Sequence, residues 1–322
     1  MRLPFDVDES GALPDDSAAI DHADVDWSRV RCSSYAIHQR ITYLYDGPVH
    51  RLRQRLMVQP REHHGDQRRI SRHVRVLDAD PRQVLSRNDD FGNHVIDVDV
   101  PFVAERISFI SWSVVERRAD HLHLAAASAL SDRRLLEPTR LTEPDDALRS
   151  LAEELRATGL TGEELAVAAC RRVFELMTYA HDVTGVRTTA AQAFALRTGV
   201  CQDYAHVLLA VTRCLRFPSR YISGQMLGVG GSHAWVEVLV PSDDGRHARV
   251  LSLDPTHGRR TGMTYLTIAV GRDYAHVAPV SGTYRAPASG VLTISKRVAV
   301  MRIDADGLTD VPASPDAEQL AG

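Results

Sequence analysis

Three residues in the second half of the chain have the types and neighbourhoods that nucleophilic chemistry needs. Cys201 stands in Thr198-Gly199-Val200-Cys201-Gln202-Asp203-Tyr204-Ala205-His206, where Gly199 ends one helical pattern and Cys201 opens the next. A thiol at a helix N-terminus faces the positive end of the helix dipole and unpaired backbone N–H groups. Both favour the thiolate, and the same amides can hold a developing oxyanion. Taken alone, Cys201 reads equally well as a small buried apolar residue. His233 follows Gly230-Gly231 and opens the alternating run Ser232–Val238, which places an imidazole at a strand start; alone it reads as a core-edge histidine. Asp254 ends the apolar run Leu251-Ser252-Leu253 just before Pro255, and alone it reads as an Asp-Pro turn. Together they set a nucleophile, a base and an orienting carboxylate on a helix start, a strand start and a neighbouring strand end. That is the logic of cysteine acyl transfer.

The segments GVCQDYAHVLLAVTRCLRFPSRYISG, SHAWVEVLVP and LDPTHG resemble the core of the transglutaminase-like superfamily. Upstream, HQRITYLYDGPVHRLRQRLMVQPR and NDDFGNHV resemble the β-rich N-terminal domain of its bacterial branch. Downstream, VGRDYAHVAPVSGTY and VLTISKRVAV also fit, so the resemblance covers residues 33–302. It implies a papain-like α+β core, with Cys201 as nucleophile, His233 as base and Asp254 orienting His233. Two segments depart from the family pattern. His276 stands where an acid usually follows Gly271-Arg272-Asp273-Tyr274-Ala275, and Arg216-Phe217-Pro218-Ser219-Arg220 replaces a G-x-P-A-R run. Gln192, upstream of the nucleophile, and Gln202, beside it, are the oxyanion and substrate-contact candidates.

The elements that must position these residues follow from the hydrophobic period. Tyr35–Tyr45, Leu52–Val58, Ile70–Leu77 and His94–Val100 alternate with period two between Asp, Gly and Pro turns, and Ile107–Val115 is another strand candidate, which together predict an antiparallel β-sandwich. After Pro138 and Pro144 the period becomes helical: 145–158, 162–178, 189–196 and a helix from about 200 to 215. Strands return at 219–225, 233–240, 250–253 and 291–302. The expected fold class is α+β, an antiparallel β-sandwich followed by helices packed on an antiparallel sheet. The expected division is an acidic, disordered leader at 1–30, a β-rich domain at 31–138, the core at 139–302 and a disordered tail at 303–322. Trp235 is read as core packing, on the strand face opposite His233.

Composition narrows the partners. Over 322 residues the formal charge is −4, so no global basic field favours nucleic acid, and the arginines of 51–61 alternate with apolar residues as on a solvated sheet face. No apolar run approaches the ~20 residues that span a bilayer, and no secretory h-region opens the chain. The expectation is therefore a cytoplasmic protein with no membrane or nucleic-acid partner. The four cysteines form no C-x-x-C pair and no disulfide framework. His121 and His123 would share a strand face but lack a third ligand, so neither a metal nor a cofactor is expected. His206 is read as packing or bonding locally. The expected substrate is a protein or peptide amide, acylating Cys201 to a thioester. Water as acceptor makes a peptidase or amidase and an amine makes a crosslinking acyltransferase; the lack of a calcium-loop pattern favours hydrolysis. Outside enzymes, the alternative is a peptide-binding module that kept the fold without activity.

Overall fold

The structure is a computed structural model that describes residues 20–119 and 122–305. The leader up to residue 19, His121 of the His121–His123 pair, and residues 306–322 of the expected tail lie outside the described residues. Seven strands come first: β1 (Val30–Tyr45), β2 (Val49–Gln59), β3 (His63–His64), β4 (Gln67–Leu77), β5 (Gln83–Asn88), β6 (His94–Val103) and β7 (Arg106–Arg118). A link carrying β8 (Leu124–Ala126) and α1 (Arg133–Leu136) leads to α2 (Asp146–Ala157) and α3 (Gly162–Leu176). Next come β9 (Thr178–Tyr179), α4 (Ala190–Leu196), β10 (Thr198–Gly199) and α5 (Cys201–Cys214). The remainder is β11 (Ser219–Met226), β12 (Ser232–Pro241), β13 (His247–Asp254), β14 (Arg259–Arg260), β15 (Tyr265–Gly271), α6 (Tyr274–Val277), β16 (Val280–Arg285) and β17 (Gly290–Ala305).

These strands form three main sheets. One runs β17-β1-β7-β4-β3, a second β16-β2-β6-β5, and a third β14-β13-β12-β11-β15 with β8 paired to β13. The first two face each other over Ile41, Leu52, Leu56, Ile96, Val98, Val100, Ile107 and Phe109, the inward residues of period-two strands. The third carries α5 on one face, and α2, α3 and α4 pack around α5. α5 is buried almost all round because helices cover one side and the sheet the other. The chain is therefore α+β, as its alternating and helical periods predict.

Two features cross the expected division of the chain. β16 pairs with β2, and β17 pairs with β1 along nearly its whole length, from Val30↔Ala305 to Tyr45↔Gly290. Residues 280–305 thus return to the sheets built by the first seven strands, although sequence order places most of them in the core segment 139–302. Residues 20–30 of the expected leader also pack: Ile20 N–H donates to the Val300 carbonyl at 2.9 Å, and Trp27 stacks on Tyr35 with ring centroids 6.3 Å apart. Their apolar side chains close the edge of the main core.

The long strand β1 spans both cores. Tyr35 and Ile37 bury against the helical core, while Ile41 and Tyr45, on the same strand face, bury between the two β-sheets. Gln39 sits between these pairs, and its side-chain amide donates to the Val58 carbonyl of β2 at 2.8 Å. The β-sheets and the helical core are therefore one packed body at the place where β1 passes from one to the other.

Candidate active site

α5 begins at Cys201 because its predecessors leave it no choice. Val200 is extended, and Val200 N–H donates to Asp203 Oδ2 at 2.8 Å, so the third helical residue caps the first turn. Thr184 donates to the same oxygen at 2.6 Å. Gly199 permits this approach: a Cβ there would lie 2.6 Å from Asp203 Oδ2. Burial raises the Asp203 carboxyl, and the Thr184 and Val200 donors hold it back. Cys201 is half-buried at the helix start, its Sγ 4.0 Å from the Ser232 carbonyl oxygen. Its backbone N–H lies in the first turn, where no intrahelical acceptor precedes it.

His233 and Asp254 meet across the sheet. β12 and β13 pair antiparallel with Val236 opposite Leu253, which puts Asp254 beside the opening of β12. His233 Nε2 lies 2.8 Å from Asp254 Oδ2, with both side chains buried. The other ring nitrogen, Nδ1, makes no contact with Asp254, and the neighbouring Cys201 thiol favours the charged imidazole. Burial pulls the imidazolium down, but the Asp254 hydrogen bond and the Cys201 contact outweigh it, and His233 is raised to about 9. Burial pushes Asp254 up, but His233, His257 and Tyr265 outweigh that in turn and lower it to about 2. The arrangement thus holds a charged imidazole beside a thiol.

The sequence gives no role to two groups that complete this cluster. His257 Nδ1 and the Tyr265 hydroxyl each reach Asp254 Oδ2 at 2.7 Å, while Thr256 N–H donates to Oδ1 at 2.9 Å. His257 is visible in sequence as the fourth residue of Asp254-Pro255-Thr256-His257; Tyr265 has no local signal. Trp235 corrects the expected strand face. It stands two residues from His233, and period two therefore puts both on one face, where their rings stack at 6.2 Å. The indole is nonetheless buried, with Ile222, Met226, Tyr265 and Val270. Gly224 makes room for it, since a Cβ there would sit 2.3 Å from the ring.

The glutamines are engaged elsewhere. Gln192 is the third residue of α4; its carboxamide oxygen accepts from Thr189 N–H at 3.0 Å, and Thr189 Oγ1 accepts from Gln192 N–H at 3.2 Å. This reciprocal cap takes up the oxygen side of the carboxamide. Gln202 is nearly buried and donates to the Gly185 carbonyl at 3.4 Å, tying the segment before α4 to the cysteine helix. His206, fully buried, accepts from Tyr274 N–H at 3.2 Å. His276 is held by Asp273 Oδ1 at 3.0 Å on α6. Among the other cysteines, burial pushes Cys170 up to about 12 and also raises Cys32 and Cys214.

A second histidine–carboxylate cluster lies further along β12. Glu237 Oε1 accepts from His64 Nε2 at 2.7 Å and from Ser252 Oγ at 3.2 Å, and Oε2 accepts from Arg220 Nε at 2.7 Å. His123 Nδ1 stands 3.6 Å from Oε1. The nitrogens of His64 and His123 and the Glu237 oxygen lie within 4.8 Å of one another, as a metal ion would require. Their hydrogen bonding argues for a different use. Arg61 can only donate, so the His64 Nδ1 that it meets at 3.1 Å accepts, and the His64 proton sits on Nε2 facing Glu237. The position a metal would take is filled by that proton. In the second His-rich set, His233, Asp254 and His257, both rings contact the same carboxylate oxygen, Asp254 Oδ2.

Comparison with known proteins agrees with this architecture. Residues 149–250 match the model of the transglutaminase-like superfamily core, and residues 35–116 match the bacterial transglutaminase-like N-terminal region. The core match includes Cys201 and His233 and ends before Asp254. An uncharacterized protein of Mycobacterium leprae is 28% identical over 199 residues, 58% of this chain and 65% of that protein. An uncharacterized protein of Mycobacterium tuberculosis is 32% identical over 146 residues, 42% of this chain and 46% of that protein. The matched part thus spans less than two thirds of either relative's length. Among solved structures, one described as a proposed cysteine protease from Cytophaga hutchinsonii superposes with a TM-score of 0.68 at 20% identity, covering 85% of this chain and 92% of that one. Among the described residues, no helix is long and apolar enough to cross a membrane.

Proposed function

This chain belongs to the transglutaminase-like superfamily, in its branch with the bacterial N-terminal region, and from that premise we propose that it is a cysteine-dependent amide hydrolase working through Cys201, His233 and Asp254. The observation that carries the reading is the 2.8 Å contact between His233 Nε2 and Asp254 Oδ2, which leaves the other imidazole nitrogen for the thiol at the start of α5. The charge this contact stabilises is the one needed when a thiolate attacks an amide.

In the first step the Cys201 thiolate adds to the amide carbonyl, and the oxyanion forms against the first-turn N–H groups of α5. His233 gives its proton to the leaving nitrogen as the C–N bond breaks, and an amine departs from the Cys201 thioester. His233, now neutral, takes a proton from water as that water attacks the thioester; the acid leaves and the thiolate–imidazolium pair returns. Asp254 keeps its negative charge throughout and fixes which imidazole nitrogen faces the thiol. An amine in place of water would give a crosslink by the same chemistry. Water is the acceptor always present, and the solved neighbour from Cytophaga hutchinsonii carries a protease description. We place this hydrolase in the cytoplasm, acting on protein or peptide amides.

The test is alkylation with iodoacetamide at neutral pH, with mass spectrometry to locate the label. Cys201 is expected to react at least tenfold faster than Cys32, Cys170 or Cys214, and His233→Ala to remove the advantage. A peptide-amide panel then reads turnover, which Cys201→Ala abolishes. Equal labelling of Cys201 and Cys214, or turnover retained in Cys201→Ala, overturns the reading.

A further inference from the structure

β15 is the outermost strand of the third sheet, and within that sheet it pairs with β11. Its outer edge is closed from the β-rich half of the chain by two side-chain amides. Gln67, at the start of β4, accepts from Thr267 N–H at 2.9 Å and donates to the Thr267 carbonyl at 2.7 Å. Asn93, just ahead of β6, accepts from Val270 N–H at 2.8 Å and donates to the Val270 carbonyl at 2.7 Å. Each carboxamide meets both backbone groups of one residue, as a neighbouring strand would. The turn that leads into β15 is held from the same half. Arg117 of β7 donates through Nη1 to the carbonyls of Gly262 at 2.6 Å and Tyr265 at 2.5 Å, while its Nε and Nη2 grip the Asp66 carboxylate. The Tyr35 hydroxyl of β1 accepts from Ser33 Oγ at 2.7 Å and donates to the Met263 carbonyl at 2.6 Å.

Tyr265, the residue these contacts fix, reaches Asp254 Oδ2 with its hydroxyl at 2.7 Å. Arg259 Nε and Nη2 each lie 3.3 Å from the same hydroxyl oxygen. A guanidinium can only donate, so the phenol oxygen accepts from Arg259 and the phenol proton goes to Asp254. From this chain of contacts we propose, building on the cysteine-hydrolase reading, that Tyr265 is a positioning residue that sets how strongly Asp254 holds the His233 proton, and that Tyr35 and Arg117 place it. The β-rich half of the chain is then a working part of the site.

Asp254 Oδ2 meets Tyr265, His233 and His257, and Oδ1 accepts from Thr256 N–H. Negative charge drawn toward the phenol is charge withheld from the imidazolium, so the hydroxyl loosens the hold of the carboxylate on the His233 proton. Loss of the hydroxyl has two opposed consequences. A carboxylate set free to turn would support the imidazolium less; a carboxylate that keeps its place would support it more. The second prevails, because Thr256 N–H and His257 still hold both oxygens. His233 then gives up its proton less readily to the leaving nitrogen, and the breaking of the C–N bond slows. The titratable and charged groups that act on this pair come from several elements: Cys201 of α5, Cys170 of α3, His257 after β13, Arg259 of β14 and Tyr265 of β15. Burial pushes Cys170 up to about 12 and raises Tyr265 above the ordinary phenol range, so both stay neutral while His233 titrates.

The test reads the His233 titration directly and needs no substrate. Imidazole signals of histidine-labelled full-length protein are followed by NMR through the alkaline range, and the His233 signal is identified by its loss in His233→Gln. The wild-type midpoint is expected at about 9. Tyr265→Phe is expected to raise it by about 0.5–1 pH unit, a fraction of one hydrogen bond to a charged group. Arg117→Met and Tyr35→Phe touch the turn and not Asp254; each should move the midpoint the same way by a smaller amount. Neither should add to the shift in a Tyr265→Phe background. His247, exposed and held by Asp244, is the control and should not move. A midpoint unchanged or lowered in Tyr265→Phe overturns the role of the hydroxyl. Unshifted midpoints in Arg117→Met and Tyr35→Phe, or shifts that persist in the Tyr265→Phe background, overturn the role of the β-rich half. Circular dichroism and a thermal melt establish that each variant is folded; if Arg117→Met is not, Tyr35→Phe, which removes a single hydroxyl, carries that arm alone. Failure of the hydrolase reading would look different: slow iodoacetamide labelling of Cys201 in the wild-type protein, with the NMR shifts intact.

Discussion

The strand β12 carries two buried histidine–carboxylate clusters four residues apart, and they are put to opposite uses. At Glu237 every partner is a closed contact. His64 comes from the first β-sheet, His123 from the link before α1, Arg220 from β11 and Ser252 from β13. The carboxylate joins four separate segments, and the nearby Arg61 occupies the outer nitrogen of His64. At Asp254 the partners also converge, but His233 bonds the carboxylate through one nitrogen alone and has a half-exposed thiol as a neighbour that favours its charge. The same chemical groups therefore make a structural tie when all valences are filled inside the protein. They make a candidate catalytic centre when a nucleophile neighbours the imidazole.

The electrostatics separate the clusters in the same way. Burial dominates at His64, which is lowered to about 4 despite Glu237, so the imidazole stays neutral. Glu237 is held well below the usual carboxylate range, burial pushing it up and His64 and Arg220 prevailing. At His233 the carboxylate and thiol prevail over burial, and the imidazole carries its charge to about pH 9.

The sharpest way to break the comparison is to remove each carboxylate. Glu237→Ala leaves the Arg220 cation buried without its partner and is expected to cost about 3–5 kcal/mol of stability in urea unfolding. Iodoacetamide labelling of Cys201, per folded molecule, should change less than twofold. Asp254→Asn should do the reverse: peptide-amide turnover falls about 100-fold or more, as expected for loss of a group orienting a general acid–base, with a smaller stability loss than in Glu237→Ala. If Asp254→Asn kept wild-type turnover, both clusters would be structural ties.

Acid and alkali titrations sharpen the contrast with opposite signs. His64 is lowered to about 4, so as pH falls from about 6.5 the unfolded chain takes up a proton that the folded chain refuses, and stability drops until about pH 4. His64→Gln should flatten that acid limb by on the order of 3 kcal/mol; His94 and His206, lowered to about 4 as well, retain part of the slope. His233 is raised to about 9, so its contribution is fully present below about pH 6.5 and is lost as pH rises through about 9. His233→Gln should flatten the alkaline limb and leave the acid limb unchanged. Urea midpoints across pH 4–10 read both. The smallest effect is expected at His257→Ala, which removes one of several donors from Asp254: about 1 kcal/mol of stability and less than tenfold in turnover.

Part of the scaffold was legible in residue order because several strands bury one face and expose the other. Tyr35–Tyr45 alternates roughly and lies within β1, and His94–Val100 alternates and lies within β6. β15 was not legible. All seven residues of Tyr265–Gly271 are buried, so no polar face marks a period of two, and Tyr265 remained invisible as a partner of Asp254. β5 escaped for the opposite reason: every residue of Gln83–Asn88 is exposed. Gln192 shows a further limit. A glutamine three residues after a threonine is a capping pair before it is anything else, and the fold uses it so.

The sequence by itself determined which residues open and close elements: Cys201 after Gly199 and Val200, His233 at the start of β12, Asp254 ahead of Pro255. Those positions follow from local rules of helix capping and strand termination that act over a few residues. Only the tertiary structure decided what meets what. The antiparallel register of β12 and β13 sets His233 against Asp254 and Glu237 against Ser252. The return of β17 to β1 sets Lys296 opposite Gln39. Such pairings depend on long-range register and on which faces remain to be covered once the cores have formed, quantities fixed by the summed burial of the whole chain and by no short stretch of it.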